Sequence, residues 1–270
     1  MSKEGHSATC RGDALRPVHD DGMATLYVGE ALDVLRRLPS ASVAAVVADP
    51  PYSSGGAFRG DRMAATVAKY RTTGAAAGGA TRRLRDFAGD NRDQRSYGYW
   101  SALWHAECLR VTEPGGVACV FCDWRQLPTT TDALQAGGWV WQGIVVWDKG
   151  NARPRRGDFR SQAEYVVWGS AGPLRSDHEI YLPGVIRHPP VPEAERVHLA
   201  EKPLAVLGTL VEVAPKGSVV LDPFCGSATT LLAATIHERR SVGIEVSETI
   251  ARIASSRLAQ GSLFAGAAKP

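Results

Sequence analysis

Asp49, Pro50, Pro51 and Tyr52 follow directly on the apolar run at 43–48. A carboxylate, a constrained carbonyl and an aromatic face at one strand end suit an amino group carried on a flat heteroaromatic ring. The lone pair of such an amine is delocalised into the ring, so the nitrogen is a poor nucleophile until something relocalises it. An ionised Asp49 can accept one amine hydrogen and the main-chain carbonyl of Pro50 the other, which favours a pyramidal nitrogen with its lone pair exposed. The two prolines fix their own φ angles and disfavour helix at Pro50, so that carbonyl is held before a substrate arrives. Tyr52 offers a flat face to a base taken out of its stack. The plainer reading is a strand ending in a proline-rich turn, with Asp49 capping a backbone N–H.

A second strand end lies far downstream, in "VVLDPFCGSATT". Here a strand stops at Asp222, a tight loop follows, and Thr229 and Thr230 open a helix, the place where an open α/β sheet receives a ligand. The next strand, "SVGIEVS", ends with Glu245 at the separation where an acidic side chain commonly receives ribose hydroxyls. A dinucleotide site wants GxGxxG so that backbone can approach a pyrophosphate, whereas "FCGSAT" has only Gly226. Asp222 would also repel a phosphate. A nucleoside with an amine and no phosphate fits, and S-adenosylmethionine is such a ligand. The plainer alternative is an ordinary crossover with a helix-capping loop.

The elements needed to hold these ends are legible in outline. "ATLYVG", "SVAAVVAD", "VACVFCDW", "WVWQGIVVWDKG", "AEYVVWGS", "GSVVLD" and "SVGIEVS" read as strands. Helical spacing appears in "EALDVLRRLP", "YGYWSALWHAECLRVTE", "TTTDALQAGG", "EKPLAVLGTLVEVAP" and the two segments after Asp222, with Pro114-Gly115-Gly116 expected to separate the second of these helices from its strand. The alternation predicts an α/β fold, a doubly wound, mostly parallel, Rossmann-like sheet with loop insertions. With 270 residues the chain has room for one such domain, expected over 23–262, flanked by a flexible N-terminus at 1–22 and a flexible tail at 263–270. Insertions are expected at 53–98 and at 150–198, the latter proline-rich and carrying the short strand "AEYVVWGS". No apolar run reaches membrane-span length and no signal-like stretch opens the chain, so a cytoplasmic protein with reduced cysteines is expected, nucleoid-associated when on DNA. Cys119 and Cys122 form a CxxC inside a strand, where residues three apart face opposite ways, so no metal site is expected.

Taken together and in this order, the motifs resemble the permuted β-class of S-adenosylmethionine-dependent DNA amino-methyltransferases, in which the catalytic motif precedes the cofactor motif. The resemblance runs from about residue 24 to 260 and includes "HLAEKP" as well as "DPPY", "LDPFCGSATT" and "GIEVSE". Within that class, "DPPYSSGGAF", "NRDQRSY" and "DWRQLPTTTDALQAGGW" are similar to phage- and prophage-type DNA adenine methylases. The resemblance implies a methyltransferase fold, base flipping, and action of Asp49, Pro50, Pro51 and Tyr52 on the target amine. It implies a cofactor pocket of Glu30, Asp49, Lys202, Asp222, Pro223, Phe224, Gly226, Ser227, Thr229, Thr230 and Glu245, with Glu30 near the adenosine and Lys202 near the cofactor's carboxylate. The chain departs from the family at Ala228, where Gly is common, at Glu30, where Asp is common, and at Leu199, where Pro is common.

The segment 53–98 carries nine basic and four acidic residues, a charge of +5 against +3 for the whole chain. Arg59, Arg62, Arg82, Arg83, Arg85, Arg92 and Arg95, with Arg153, Arg155 and Arg156 further on, are the candidates for holding phosphates of double-stranded DNA; the plain alternative is a solvated loop. The reading favours N6 of adenine as the methylated amine, since Asp rather than Ser precedes "PPY". N4 of cytosine is the alternative, and a non-catalytic DNA-binding regulator on the same fold is the further one. The resemblance also implies a homodimer reading two half-sites.

Overall fold

The computed structural model describes residues 15–51, 93–150, 156–157, 159–192 and 201–267. Nine strands form one sheet: β1 (His19–Asp20), β2 (Ala24–Val28), β3 (Val43–Ala48), β4 (Thr112–Cys122), β5 (Val140–Asp148), β6 (Ala163–Ser170), β7 (Val185–Arg187), β8 (Val219–Asp222) and β9 (Arg240–Glu245). Their order is β1-β2-β9-β8-β3-β4-β6-β5-β7. Pairing is parallel from β2 through β4, while β6 runs antiparallel to both β4 and β5. The sheet is therefore mixed and mostly parallel.

Every residue of β3 is buried, which a strand can satisfy only if both faces are covered. Val46 and Ala48 pack into a cluster with Val34 and Leu35 of α1 (Ala31–Leu35), Trp104, Cys108 and Val111 of α2 (Gln94–Val111), and Leu134 of α3 (Leu127–Ala136). Ala45 and Val47 face the other way, onto Val206, Leu207, Leu210 and Val211 of α4 (Leu204–Val211) and Ala233 and Ala234 of α5 (Thr229–Ile236). The final helix α6 (Glu248–Ala267) packs Ala251, Ala254 and Leu258 against Leu26 and Leu231. Helices on both faces make the sheet doubly wound, as the alternation of elements requires.

Cys119 and Cys122 fall in opposite clusters, one on each face of β4. Burial pushes both thiols up to about 12, so they stay protonated and behave as small apolar residues. Among the described residues no helix is long and apolar enough to cross a membrane.

Four expectations about boundaries need correction. Residues from 15 onward are not a flexible leader: β1 pairs antiparallel with β2, Val18 N donates to the Leu26 carbonyl at 2.8 Å, and Leu15 packs on the core. The turn that permits this uses Gly22 at φ 82 and Asp21 Oδ1, which accepts from the backbone of Met23 and Ala24. The region 150–198 is no simple insertion, since β6 lies within the sheet between β4 and β5, and Val185–Arg187 adds β7. Pro114-Gly115-Gly116 does not separate helix from strand either. Pairing with β3 begins at Thr112 and jumps to Val117, so these residues bulge out, and a Cβ on Gly116 would stand 2.7 Å from the Ala44 carbonyl oxygen. Finally, α6 continues to Ala267, past the expected end at 262, because nothing in "SLFAGA" is a proline.

Candidate active site

β3 and β8 are adjacent and parallel, with Ala45 opposite Val220 and Val46 opposite Leu221. The strand that ends before Asp49 and the strand that ends at Asp222 therefore open on the same edge of the sheet, side by side. β9 lies on the far side of β8 and brings Glu245 to that edge, with Asp222 opposite Gly243. β2 follows, with Val28 opposite Glu245. Carboxyl ends of neighbouring parallel strands form the crevice in which open α/β sheets bind ligands.

Asp49 is half-buried, and Pro50 behind it is buried. Lys202 Nζ donates to Asp49 Oδ2 at 2.6 Å and stands 5.1 Å from the centre of the Phe121 ring. Its side chain is only 7% exposed, so the ammonium is held against Asp49 where water screens little. The same ammonium lies 3.7 Å from Glu164 Oε2, and Lys149 Nζ approaches Glu164 Oε1 at 2.5 Å. Four alternating charges thus run from the end of β3 to the end of β5. Of these, the sequence pointed to Asp49 and Lys202 and not to Glu164, whose one signal is a lone acidic residue second in a largely apolar strand.

The Asp222 carboxyl is buried, and burial, with Asp49 and Glu245 nearby adding negative charge, pushes it up to about 7. A hydrogen bond from the Thr230 side chain and the Phe224 N–H, at 3.0 Å, work against that rise. Glu245 is also raised, by burial, although it accepts from Ser247 N at 2.8 Å and Gly226 N at 3.1 Å. Three carboxylates around one crevice would repel a phosphate but gain from an ammonium or from hydroxyl donors. At Gly226, φ 52 with nothing within 4 Å of a would-be Cβ, the loop leaves open space beside these groups. The residues present thus fit an amine-bearing nucleoside.

Other site candidates have nearer tasks. Ser227 is held by Arg257, whose Nη1 donates to its carbonyl at 2.9 Å and its hydroxyl at 2.7 Å. Arg257 Nη2 pairs with Glu201 Oε1 at 2.9 Å, and Thr229 Oγ1 donates to the same oxygen at 3.4 Å. Arg257 and Glu201 therefore pin the loop after β8 to α6 and to the segment before α4, a long-range tie that no local spacing reveals. Ala228, where the resemblance leads one to expect Gly, has φ 68, the left-handed region that costs an L-residue about 1–2 kcal/mol. The Phe224 ring lies 5.4 Å from Trp100 and 5.1 Å from Trp104, centre to centre, so its aromatic contacts are with α2. Pro223 and Thr230 are buried. The Glu30 carboxylate caps α1, accepting from Leu32 N at 2.8 Å and Asp33 N at 3.3 Å.

Tyr52, Arg59, Arg62, Arg82, Arg83, Arg85, Arg92, Arg153 and Arg155 lie outside the described residues. Arg95 sits exposed in the first turn of α2, where Asp93 Oδ1 accepts from its backbone N–H at 3.0 Å, and Arg156 is exposed in a turn.

A family model described as DNA methylase, and named for N6 and N4 methyltransferases, matches residues 43–256. The type II methyltransferase M.HindIII of Haemophilus influenzae is 24% identical over an alignment that covers 86% of this chain and 94% of that protein. Among solved structures, that of the M1.HpyAVI–SAM complex superposes with a TM-score of 0.61 at 22% identity, covering 87% of this chain and 99% of the other. The PvuII cytosine-N4-specific DNA methyltransferase gives 0.65 at 15% identity, with 93% and 94% covered. These likenesses are in fold.

Proposed function

We propose that the chain, which belongs to the DNA methylase family, moves a methyl group from S-adenosylmethionine to the N6 amine of adenine in double-stranded DNA, with the base flipped out of the helix. The observation that carries this reading is the adjacency of β3 and β8, which sets Asp49 beside Asp222 at one sheet edge. One carboxylate serves an amine and the other a cofactor.

Bound in this crevice, S-adenosylmethionine would supply an electrophilic methyl group carried on a positively charged sulfur that can leave with the bonding pair. The protein's own work is to prepare the amine and hold the donor. Asp49 accepts one amine hydrogen, the Pro50 carbonyl accepts the other, and Asp49 stands in place to take the proton the nitrogen sheds. Lys202 sets a cation 2.6 Å from Asp49 Oδ2. Asp222 serves the ammonium of the cofactor, and Glu245 the ribose hydroxyls, with Gly226 giving backbone clearance. Tyr52 stacks on the base.

The aspartate that opens the tetrad supports adenine. The second reading, N4 of cytosine, requires the same amine chemistry and the same fold, which a cytosine-N4-specific enzyme shares. The intact set of Asp49, Lys202, Asp222 and Glu245 speaks against a non-catalytic regulator. Nucleosides released from duplex DNA after incubation with protein and S-adenosylmethionine distinguish the readings: N6-methyldeoxyadenosine is expected, N4-methyldeoxycytidine would establish the second, and neither would refute both.

DNA contact is assigned to the basic segment 53–98. Reversing the charge of Arg82, Arg83 and Arg85 should weaken duplex binding and reduce the slope of log affinity against log salt by about 2 to 3, as loss of that many phosphate contacts requires. A slope equal to that of the parent protein would remove these residues from the interface. A compact recognition surface also suits a homodimer on two half-sites, which sedimentation with a duplex oligonucleotide checks.

A further inference from the structure

Glu164, the second residue of β6, is paired in register with Trp147, which places it at the same sheet edge as Asp49. Its carboxylate is nearly enclosed, with 17% of the side chain exposed. One oxygen, Oε1, is taken by Lys149 at 2.5 Å. The other, Oε2, is buried and accepts no hydrogen bond among the described residues, yet the Lys202 ammonium stands 3.7 Å from it. A buried carboxylate oxygen without a donor is costly, and here the nearest cation is bonded to Asp49 instead. Burial opposes the charge on Glu164, but the two ammonium groups together hold its carboxyl below the usual range. Lys202 is therefore one cation between two carboxylates, closer to one by about an ångström.

We propose that Glu164 is a positioning residue for the amine-accepting carboxylate: it shares Lys202 with Asp49, so that the ammonium shifts toward Glu164 as Asp49 takes up the hydrogen bond of an incoming amine. The inference rests on the role given above to Asp49. An oxygen bonded at 2.6 Å to an ammonium is a weaker acceptor for a second donor, because its lone pairs are already polarised. Movement of Lys202 onto Glu164 Oε2 frees Asp49 Oδ2 to accept beside Oδ1, and satisfies the buried Glu164 oxygen in the same displacement. Lys149, fixed on Oε1 and lying 5.4 Å from the centre of the Trp147 ring, keeps the Glu164 carboxylate in place while this happens.

The test is single-turnover methyl transfer with Glu164→Gln, which keeps the side chain's shape and removes its charge. Glu164 then no longer offers Lys202 a negative charge in competition with Asp49. The expected result is a rate about tenfold below the parent, the scale of a modest loss of acid–base assistance, with cofactor Kd and DNA KM changed by less than about threefold. Glu164→Asp, which keeps the charge on a shorter arm, should recover part of the lost rate. A Glu164→Gln protein that transfers methyl groups at the parent rate would overturn the proposal. So would a joint loss of cofactor affinity and rate, or a Glu164→Asp protein no faster than Glu164→Gln. Asp49→Ala run in parallel separates the two levels: if it too retains the parent rate, the role of Asp49 has failed, whereas an inactive Asp49→Ala beside a fully active Glu164→Gln refutes only the sharing of Lys202.

Discussion

Asp49→Ala should lower methyl transfer by about a thousandfold or more while leaving the protein folded and the cofactor bound. The size follows from what is removed. Asp49 is the one ionised acceptor at the end of β3, and the Pro50 carbonyl alone cannot relocalise the lone pair of an amine conjugated with its ring. The fold should survive because the loss does not strand a buried cation: Lys202 still has Glu164 Oε2 at 3.7 Å, and no apolar core residue is touched. Cofactor affinity should change by no more than about tenfold, since the cofactor is assigned to Asp222 and Glu245, to which Asp49 adds only a nearby charge. Rapid-quench methyl transfer and calorimetric cofactor titration on the same preparation read both quantities. Retained turnover would contradict the assignment of the tetrad.

Asp222 gives the second large effect, and it is one of pH. In the ligand-free protein its carboxyl is pushed up to about 7, chiefly by burial, so near neutrality it is only part ionised. An ammonium binds the carboxylate and not the acid. Affinity for S-adenosylmethionine should therefore rise about tenfold for each pH unit between 5 and 7 and level off above, as protons are released on binding. The stability of the free protein should run the other way. A carboxyl whose folded pKa lies above its unfolded value of 3.8 contributes stability that is present below that value and is lost as pH rises through about 7. Asp222→Asn should abolish both trends, flattening the pH dependence of cofactor Kd and of thermal stability between 5 and 7, and should weaken binding at pH 8 by about a hundredfold, the scale of one lost charge-assisted hydrogen bond. Persistence of the affinity trend in Asp222→Asn would move the titrating group elsewhere, with Glu245 the next carboxyl at the site.

Much of this was legible in the sequence, for local reasons. Apolar runs of strand length that end abruptly on Asp49, Asp222 and Glu245 state where strands stop, and helical spacing between them states that the sheet is wound on both faces. What could not be read is which distant groups meet. Lys202 reaches Asp49 across 153 positions, and the resemblance assigned it to the cofactor's carboxylate; its ion pair with Asp49 depends on the packing of the segment before α4 against β3. The lone acidic residue at Glu164 marked a polar strand end but not its neighbours, because only the antiparallel insertion of β6 between β4 and β5 carries the start of that strand to the active edge. Arg257 and Glu201 are ordinary polar residues in sequence and become a clamp on Ser227 only once α6 has folded back. The ordered β1 at His19–Asp20 was missed because two residues leave no periodic signal.

The proposed action of Asp49 and its neighbours is on the N6 amine of adenine in DNA. Modification-sensitive sequencing of DNA from cells expressing the protein tests it most directly, with Asp49→Ala as the comparison. The expected result is N6-methyladenine at the copies of one short sequence, present with the parent protein and absent with Asp49→Ala. Methylation confined to cytosine, or the same adenine pattern from both proteins, would contradict it.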